Sequence, residues 1–369
     1  MASPHVSVPT PVPTVVWGTG NVGRAAIRSV ASNPAVRLAG VLVHDPAKVG
    51  RDAADLAGLD ALTGVLATDD VDAGLAERPA AVVYAASGDF RPDDAMADVE
   101  RALRAGAVVV TPALYALYDW RSAPDAVRDR FERACAEGGG RLFCSGIDPG
   151  WGNDVLPALI AGLGSTVDSI RCQEIFDYST YDQPDAVRQL VGMGGPMDEI
   201  PPMVLPTIPT MVWGGNLRLM ARALGVEIDE IRETLDRRPL ERTVTNPLGT
   251  FDEGTQGALR FEIQGIVGGE PQLVIEHVTR IDPECAPDWP QPTSGAGTHR
   301  VIVEGHPRIE VSIEAEDEGG NRAAGGNATA ASRLVNAVPW LHAAPPGLYD
   351  ALDVPLSFGA GRLRGTPTS

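Results

Sequence analysis

The sequence predicts an α/β chain in two parts. The first is a domain with a parallel, doubly wound sheet, and the second an α+β domain with an open mixed or antiparallel sheet. Three observations carry this. From residue 14 to about 150, short apolar β-rich runs alternate with amphipathic stretches of helical period. After residue 151 the strands lengthen and alternate in polarity, as in a sheet with one wet face. A glycine-rich turn, GTGNVG, joins the first apolar run to the first helical stretch.

In order, the expected strands of the first part are TVVW, RLAGVLV, AAVVYAA, AVVVTP and RLFCSG, with helices such as VGRAAIRSVAS and MADVERALRAG between them. Their continuous apolar character fits strands covered on both faces. The proline-bearing start, residues 1–13, is expected to be a disordered arm. The second part, residues 151–326, opens with a helix, DVLPALIAGL, and a strand, SIRCQEIF. A Gly-, Pro- and Met-rich stretch follows, then two expected helices, NLRLMARAL and EIRETL. ALRFEIQGIVG, QLVIEHVTRI, HRVIVEG and RIEVSIEAE read as strands of the open sheet. The tail from residue 327 to 369 begins as a long closing helix.

Composition bounds the function. With 369 residues the chain can form two ordinary domains. A formal net charge of -19 argues against nucleic acid or an anionic membrane as partner, because both require clustered positive charge. No stretch is long and apolar enough to span a membrane. The four cysteines form no C-x-x-C pair and the histidines show no metal-ligand spacing, so no metal is expected and a reduced, cytoplasmic protein is. Lys48 is the only lysine, so Schiff-base chemistry is confined to its neighbourhood.

The turn formed by Gly18, Thr19, Gly20, Asn21, Val22 and Gly23 fits G-x-G-x-x-G, with a strand before it and a helix after it. The first glycine permits the tight turn and the second lets the backbone approach a pyrophosphate. The third lets helix and strand pack closely. This context predicts a Rossmann domain binding NAD or NADP at the helix N-terminus. After the second strand, Asp45 stands where an acid holds the adenosine ribose. His44, Lys48 and Arg51 could instead surround a 2′-phosphate, which tilts the reading towards NADP. Ala86, Ser87, Gly88 and Asp89, after a later strand, should pass near the nicotinamide ribose.

Ligands lie outside the carboxyl ends of such strands. Tyr115 and Tyr118 are therefore candidate proton donors, with Asp119 beside them. Asp148, Trp151 and Asn153 are candidate pocket residues, and so are Met193 and Trp213 at the ends of the Met- and Pro-rich stretch. Glu174 and Asp177 could orient a substrate or its amine. Either His277 or His299 could be an acid–base group, though residues of a sheet face are the plainer reading of both.

VVWGTGNVG, FCSGIDPGWGNDVLP, QEIFDYSTYDQP, HRVIVEG and NATAASRLVNAVPWLHAAPPG together resemble the dihydrodipicolinate-reductase-like superfamily. The nearest branch holds 2,4-diaminopentanoate dehydrogenase and the native amine dehydrogenases. The resemblance runs from about residue 14 to 356. It implies that the C-terminal helix rejoins the Rossmann domain, that residues 151–326 form a substrate and dimerisation domain, and that the protein is a homodimer. It also implies hydride transfer between NAD(P)H and a C=O or C=N carbon of a small molecule. Two departures shape the expected substrate. The His-His-x-x-Lys motif of dihydrodipicolinate reductase is absent. Leu114 or Tyr115 falls where the amine dehydrogenases carry a glutamate, and a neutral phenol cannot pair with an ammonium as a carboxylate does. A fairly apolar ketone, alcohol or preformed imine is the expected substrate. The alternatives are amine dehydrogenation with Glu174 or Asp177 as the acid, and a non-catalytic NADPH-binding sensor.

Overall fold

The computed structural model describes residues 10–76, 79–88, 91–359 and 362–363. The expected arm falls largely on residues 1–9, outside the described residues, as does Asp89. Val12 and Pro13, assigned to that arm, instead begin the first strand, where parallel pairing to Val36 and Arg37 overrides the proline signal. The chain divides into two compact units. One contains the chain up to Leu114, Asp125–Cys144 and the chain from Ala331 onward. The other contains Tyr115–Pro124 and Ser145–Ala330.

The first unit holds β1 (Val12–Trp17), β2 (Val36–Leu42), β3 (Ala67–Thr68), β4 (Ala81–Tyr84), β5 (Val108–Thr111) and β6 (Arg141–Cys144). Their spatial order is β3-β2-β1-β4-β5-β6, with Gly347–Tyr349 as a closing strand beside β6. Every pair is parallel. This is the doubly wound order that binds ligands where β1 and β4 diverge. The helices α1 (Asn21–Ser32), α2 (Ala53–Ala57), α3 (Val71–Ala76), α4 (Pro92–Arg104) and α5 (Asp125–Gly138) cover it. β4 and β5 are buried along their whole length, which explains their unbroken Val runs.

The second unit begins with α6 (Val155–Ala161), β7 (Thr166–Asp177) and α7 (Ile208–Leu224). Next come β8 (Glu230–Pro239), a small hairpin of β9 (Val244–Asn246) and β10 (Gly249–Phe251), and then β11 (Gln256–Val267), β12 (Glu270–Arg280), β13 (Gly297–His306) and β14 (Ile309–Ile313). The six-stranded order is β14-β13-β7-β12-β11-β8, mixed because β7 and β12 run parallel. The core lies under α7, where Trp213, Leu217 and Met220 meet Phe261, Ile263 and Ile275. The opposite sheet face is charged: Arg171 Nη1 lies 2.6 Å from both Glu262 and Glu276, and Arg260 also reaches Glu276. The expected wet face is therefore an ion-pair network.

One element is corrected. EIRETL, expected as a helix, lies in β8. Its long antiparallel ladder with β11 supplies the partner that local periodicity cannot reveal. The closing helix α8 (Arg322–Ala343) contains Pro339. Its residues up to Ala330 belong to the second unit and those from Ala331 to the first.

Candidate active site

In the first unit the glycine turn leaves the end of β1, next to the end of β4. Gly18 has φ +103°, and a Cβ there would lie 2.7 Å from the Ala86 nitrogen. A Cβ on Gly23 would lie 2.0 Å from the Gly18 oxygen, so these two glycines are fixed by the turn itself. Gly20 differs: it opens α1 with no side-chain cap, and its Cβ would meet nothing within 4 Å. The first turn of α1 therefore presents backbone N–H groups beside space that a side chain would fill, which fits a dinucleotide pyrophosphate. A Cβ on Gly88 would lie 2.5 Å from the Ala113 oxygen, which draws the loop after β4 against that after β5.

Lys48 Nζ donates to Thr19 Oγ1 at 3.2 Å, bringing the only lysine to the glycine turn. Asp45 Oδ1 accepts from the Ala47 N–H at 2.9 Å and caps the short helix Pro46–Lys48. His44 and Arg51 are exposed nearby in sequence.

In the second unit a buried polar cluster forms at one row of the sheet. The register places His277 of β12 and His299 of β13 on either side of Glu174 of β7. Glu174 Oε2 lies 3.3 Å from His299 Nε2, and Tyr178 donates its hydroxyl to Glu174 Oε1 at 3.1 Å. Asp148 comes from the loop after β6. That loop is tight: Gly150 has φ +146°, and a Cβ there would lie 2.2 Å from the Gly146 carbonyl. Asp148 accepts from Trp213 Nε1 at 2.6 Å and from Asn153 Nδ2 at 3.0 Å. His277 Nε2 lies 3.0 Å from Asp148 Oδ1, close enough for an ion pair although the N–H is not aligned for a hydrogen bond. The His277 ring stacks on Phe261 at 4.6 Å and meets the edge of Trp213 at 4.5 Å.

Burial opposes charge on both Asp148 and His277, but their mutual attraction prevails. Asp148 is held below the usual carboxylate range, and His277 is raised above that of a free imidazole. Burial, reinforced by Glu174, pushes the Tyr178 hydroxyl well up, so it stays protonated and donates. A phenol-supported carboxylate beside an imidazole can bind a cation and move a proton.

Four predicted residues, Asp148, Asn153, Trp213 and Glu174, thus meet in one cluster. Trp151 joins through its ring, 6.4 Å from that of His299. Met193 goes instead to the hydrophobic core. Asp177 caps the turn Tyr178–Thr180, accepting from Ser179 N at 2.9 Å. Tyr115 and Tyr118 lie 6.2 Å apart by ring centres, and Tyr118 is buried where Gly215 lets α7 approach. The next residue, Asp119, accepts from Arg222 of α7 at 2.7 Å. His277 and His299, read as sheet-face residues, are members of the cluster. The available signal was their phase: alternation puts His277 on the same face as Leu273 and Ile275, and His299 with Val301 and Val303.

The parallel dinucleotide sheet and its glycine cradle are those of a nicotinamide-dependent oxidoreductase, and comparison with known proteins agrees. The 2,4-diaminopentanoate dehydrogenase C-terminal domain family matches residues 153–361, and this chain belongs to it. The chain is 69% identical over 354 residues to an amine dehydrogenase of Streptomyces virginiae, covering 95% of this chain and 98% of that protein. The structure of an amine dehydrogenase from Mycobacterium smegmatis shares the fold, with TM-score 0.76 at 20% identity over 95% of this chain and 98% of that one. GenD2 from gentamicin A biosynthesis, solved with NAD, shares it with TM-score 0.52 at 16% identity, over 93% of each chain. The resemblance read from the sequence motifs is thus borne out, and so is the oxidoreductase class. No helix among the described residues is long and apolar enough to cross a membrane.

Proposed function

We propose that this protein is an amine dehydrogenase, interconverting a fairly apolar primary amine and its carbonyl compound, with NADP(H) as the preferred cofactor. The observation that carries the reading is the 69% identity, over nearly the whole chain, to the Streptomyces virginiae amine dehydrogenase. Leu114 and Tyr115 offer no acid at their positions, and the reading is supported by a carboxylate elsewhere. Glu174, with Asp148 close by, offers carboxylate oxygens to an ammonium group, and Trp151, Trp213 and Phe176 supply apolar walls near the two histidines.

The nicotinamide supplies the hydride acceptor when bound. The chain's own residues manage the rest. Glu174 binds the amine nitrogen, and the Glu174–His299 pair takes the proton the ammonium must shed before its C–H bond can break. Water then adds to the imine carbon, and the same pair relays the protons of that water to the nitrogen, so that the C–N bond breaks, the oxygen becomes the carbonyl and ammonium leaves. Asp148, neutralised by His277, fixes the position of Trp213. The lean to NADP rests on Lys48 reaching the glycine turn while one oxygen of Asp45 is engaged in capping. A homodimer in the cytoplasm completes the reading, supported by the family resemblance and by four buried, unbridged cysteines.

The test is Glu174→Gln, assayed for amine-dependent NADP+ reduction alongside NADPH titration. Turnover should fall by roughly 10²–10⁴-fold with cofactor binding retained. Unchanged turnover would remove Glu174 from the chemistry.

A further inference from the structure

The same cluster presents a donor set that a second kind of ligand would recognise. Asp148, Glu174 and His299 each offer one ligand atom, and these atoms all lie within 4.8 Å of one another. Two carboxylate oxygens and an imidazole nitrogen suit a first-row transition metal better than Mg2+ or Ca2+, which favour oxygen alone. Bonds of about 2.0–2.2 Å to Zn2+ place neighbouring ligand atoms roughly 3.3–3.6 Å apart, so modest side-chain rotations would close the set around the ion.

Independent features support a built site. The His277 side chain is 5% exposed, and its Nε2 makes no aligned hydrogen bond although it lies 3.0 Å from Asp148 Oδ1, so a buried imidazole faces one of the three donors. Phe261 and Trp213 hold its ring in place. The carboxylates are braced by neutral donors: Trp213 and Asn153 on Asp148, and Tyr178 on Glu174. Such outer partners orient metal ligands. Glu174, His277 and His299 also stand on adjacent strands in one row, so the backbone spacing fixes their separation.

We propose that Asp148, Glu174 and His299, with His277 beside them, form a binding site for one Zn2+-like divalent transition-metal ion. Binding would occupy the position assigned above to the amine nitrogen, so the ion would act as an inhibitor competitive with amine; that last clause rests on the proposed function.

The experiment is calorimetric titration of the full-length, chelator-treated protein with Zn2+, and with Mg2+ as comparison. One Zn2+ per chain is expected, with micromolar or tighter Kd, no matching Mg2+ binding, and at least 50-fold weakening in His299→Gln and in Glu174→Gln. Circular dichroism and NADPH titration verify that the variants are folded, and a misfolded variant is replaced by His277→Gln. No stoichiometric Zn2+ binding, or equal binding by the folded variants, overturns the site. Zn2+ should also raise the apparent KM for amine at constant kcat. Tight binding that is lost in the variants but leaves amine kinetics untouched would uphold the metal site and overturn the placement of the amine at Glu174.

Discussion

Glu174 and His299 face one another across the antiparallel β7–β13 ladder, carboxylate oxygen to imidazole nitrogen, 3.3 Å apart. The other carboxylate oxygen is held by the Tyr178 hydroxyl at 3.1 Å. Hydrogen bonds to charged groups are worth about 1.5–3 kcal/mol. Tyr178→Phe should therefore lower kcat/KM for amine oxidation by roughly tenfold or more, while NADPH binding stays as in the parent. Steady-state kinetics read this directly, and undiminished kcat/KM would mean that Glu174 needs no such support.

The Asp148–His277 pair predicts a pH dependence. A histidine whose folded-state pKa is raised contributes stability that is fully present below about pH 6.5 and is lost as pH rises through the raised value. A lowered carboxylate contributes stability present above about pH 3.9 and lost as pH falls through its lowered value. Urea midpoints measured upward from about pH 6 should decline in the wild type, and Asp148→Asn should flatten that decline. Asp148→Ala, which strands a buried imidazole, should cost about 3–5 kcal/mol near neutrality.

Gly18 and Gly20 of the turn should separate folding from binding. Gly18→Ala meets the Ala86 backbone at a positive φ, so it should lower the melting temperature and abolish cofactor binding together. Gly20→Ala meets nothing, so unfolding should change by no more than about 0.5 kcal/mol. Its new methyl occupies the space assigned to the pyrophosphate, and NADPH affinity should fall at least tenfold. Thermal melts and tryptophan-to-nicotinamide energy transfer measure the two effects. Intact affinity in Gly20→Ala would place the phosphates elsewhere.

Cofactor choice should depend on Lys48. Lys48→Ala removes the ammonium that reaches Thr19, so NADPH affinity should weaken about tenfold while NADH affinity changes little. Parallel titrations with both cofactors decide this. An equal loss for both would make Lys48 a support of the turn instead of a reader of the 2′-phosphate.

The first unit was largely legible because its information is local. A buried parallel strand announces itself as an apolar run such as AVVVTP, and GTGNVG marks the first turn through Gly18 and Gly23, where a side chain would meet backbone. The second unit was less so. EIRETL carries both a helical and a strand pattern, and only its partner β11 decides between them. Glu174 was recognisable as a carboxylate of interest. Its two histidine neighbours were hidden because register between strands about a hundred residues apart is not written in either strand.

The closing strand Gly347–Tyr349 has a consequence for biogenesis. It pairs with Arg141–Phe143 of β6, and Arg141 Nε donates to the Ala344 carbonyl at 2.8 Å. Residues separated by some two hundred positions must therefore meet before the nucleotide-binding sheet is complete. On the ribosome, the contiguous block Ser145–Ala330 emerges whole while the sheet still lacks its edge. The strands made before Ser145 thus belong to the unit that is completed later, and until Gly347–Tyr349 emerges β6 offers an unpaired edge for chaperones to guard.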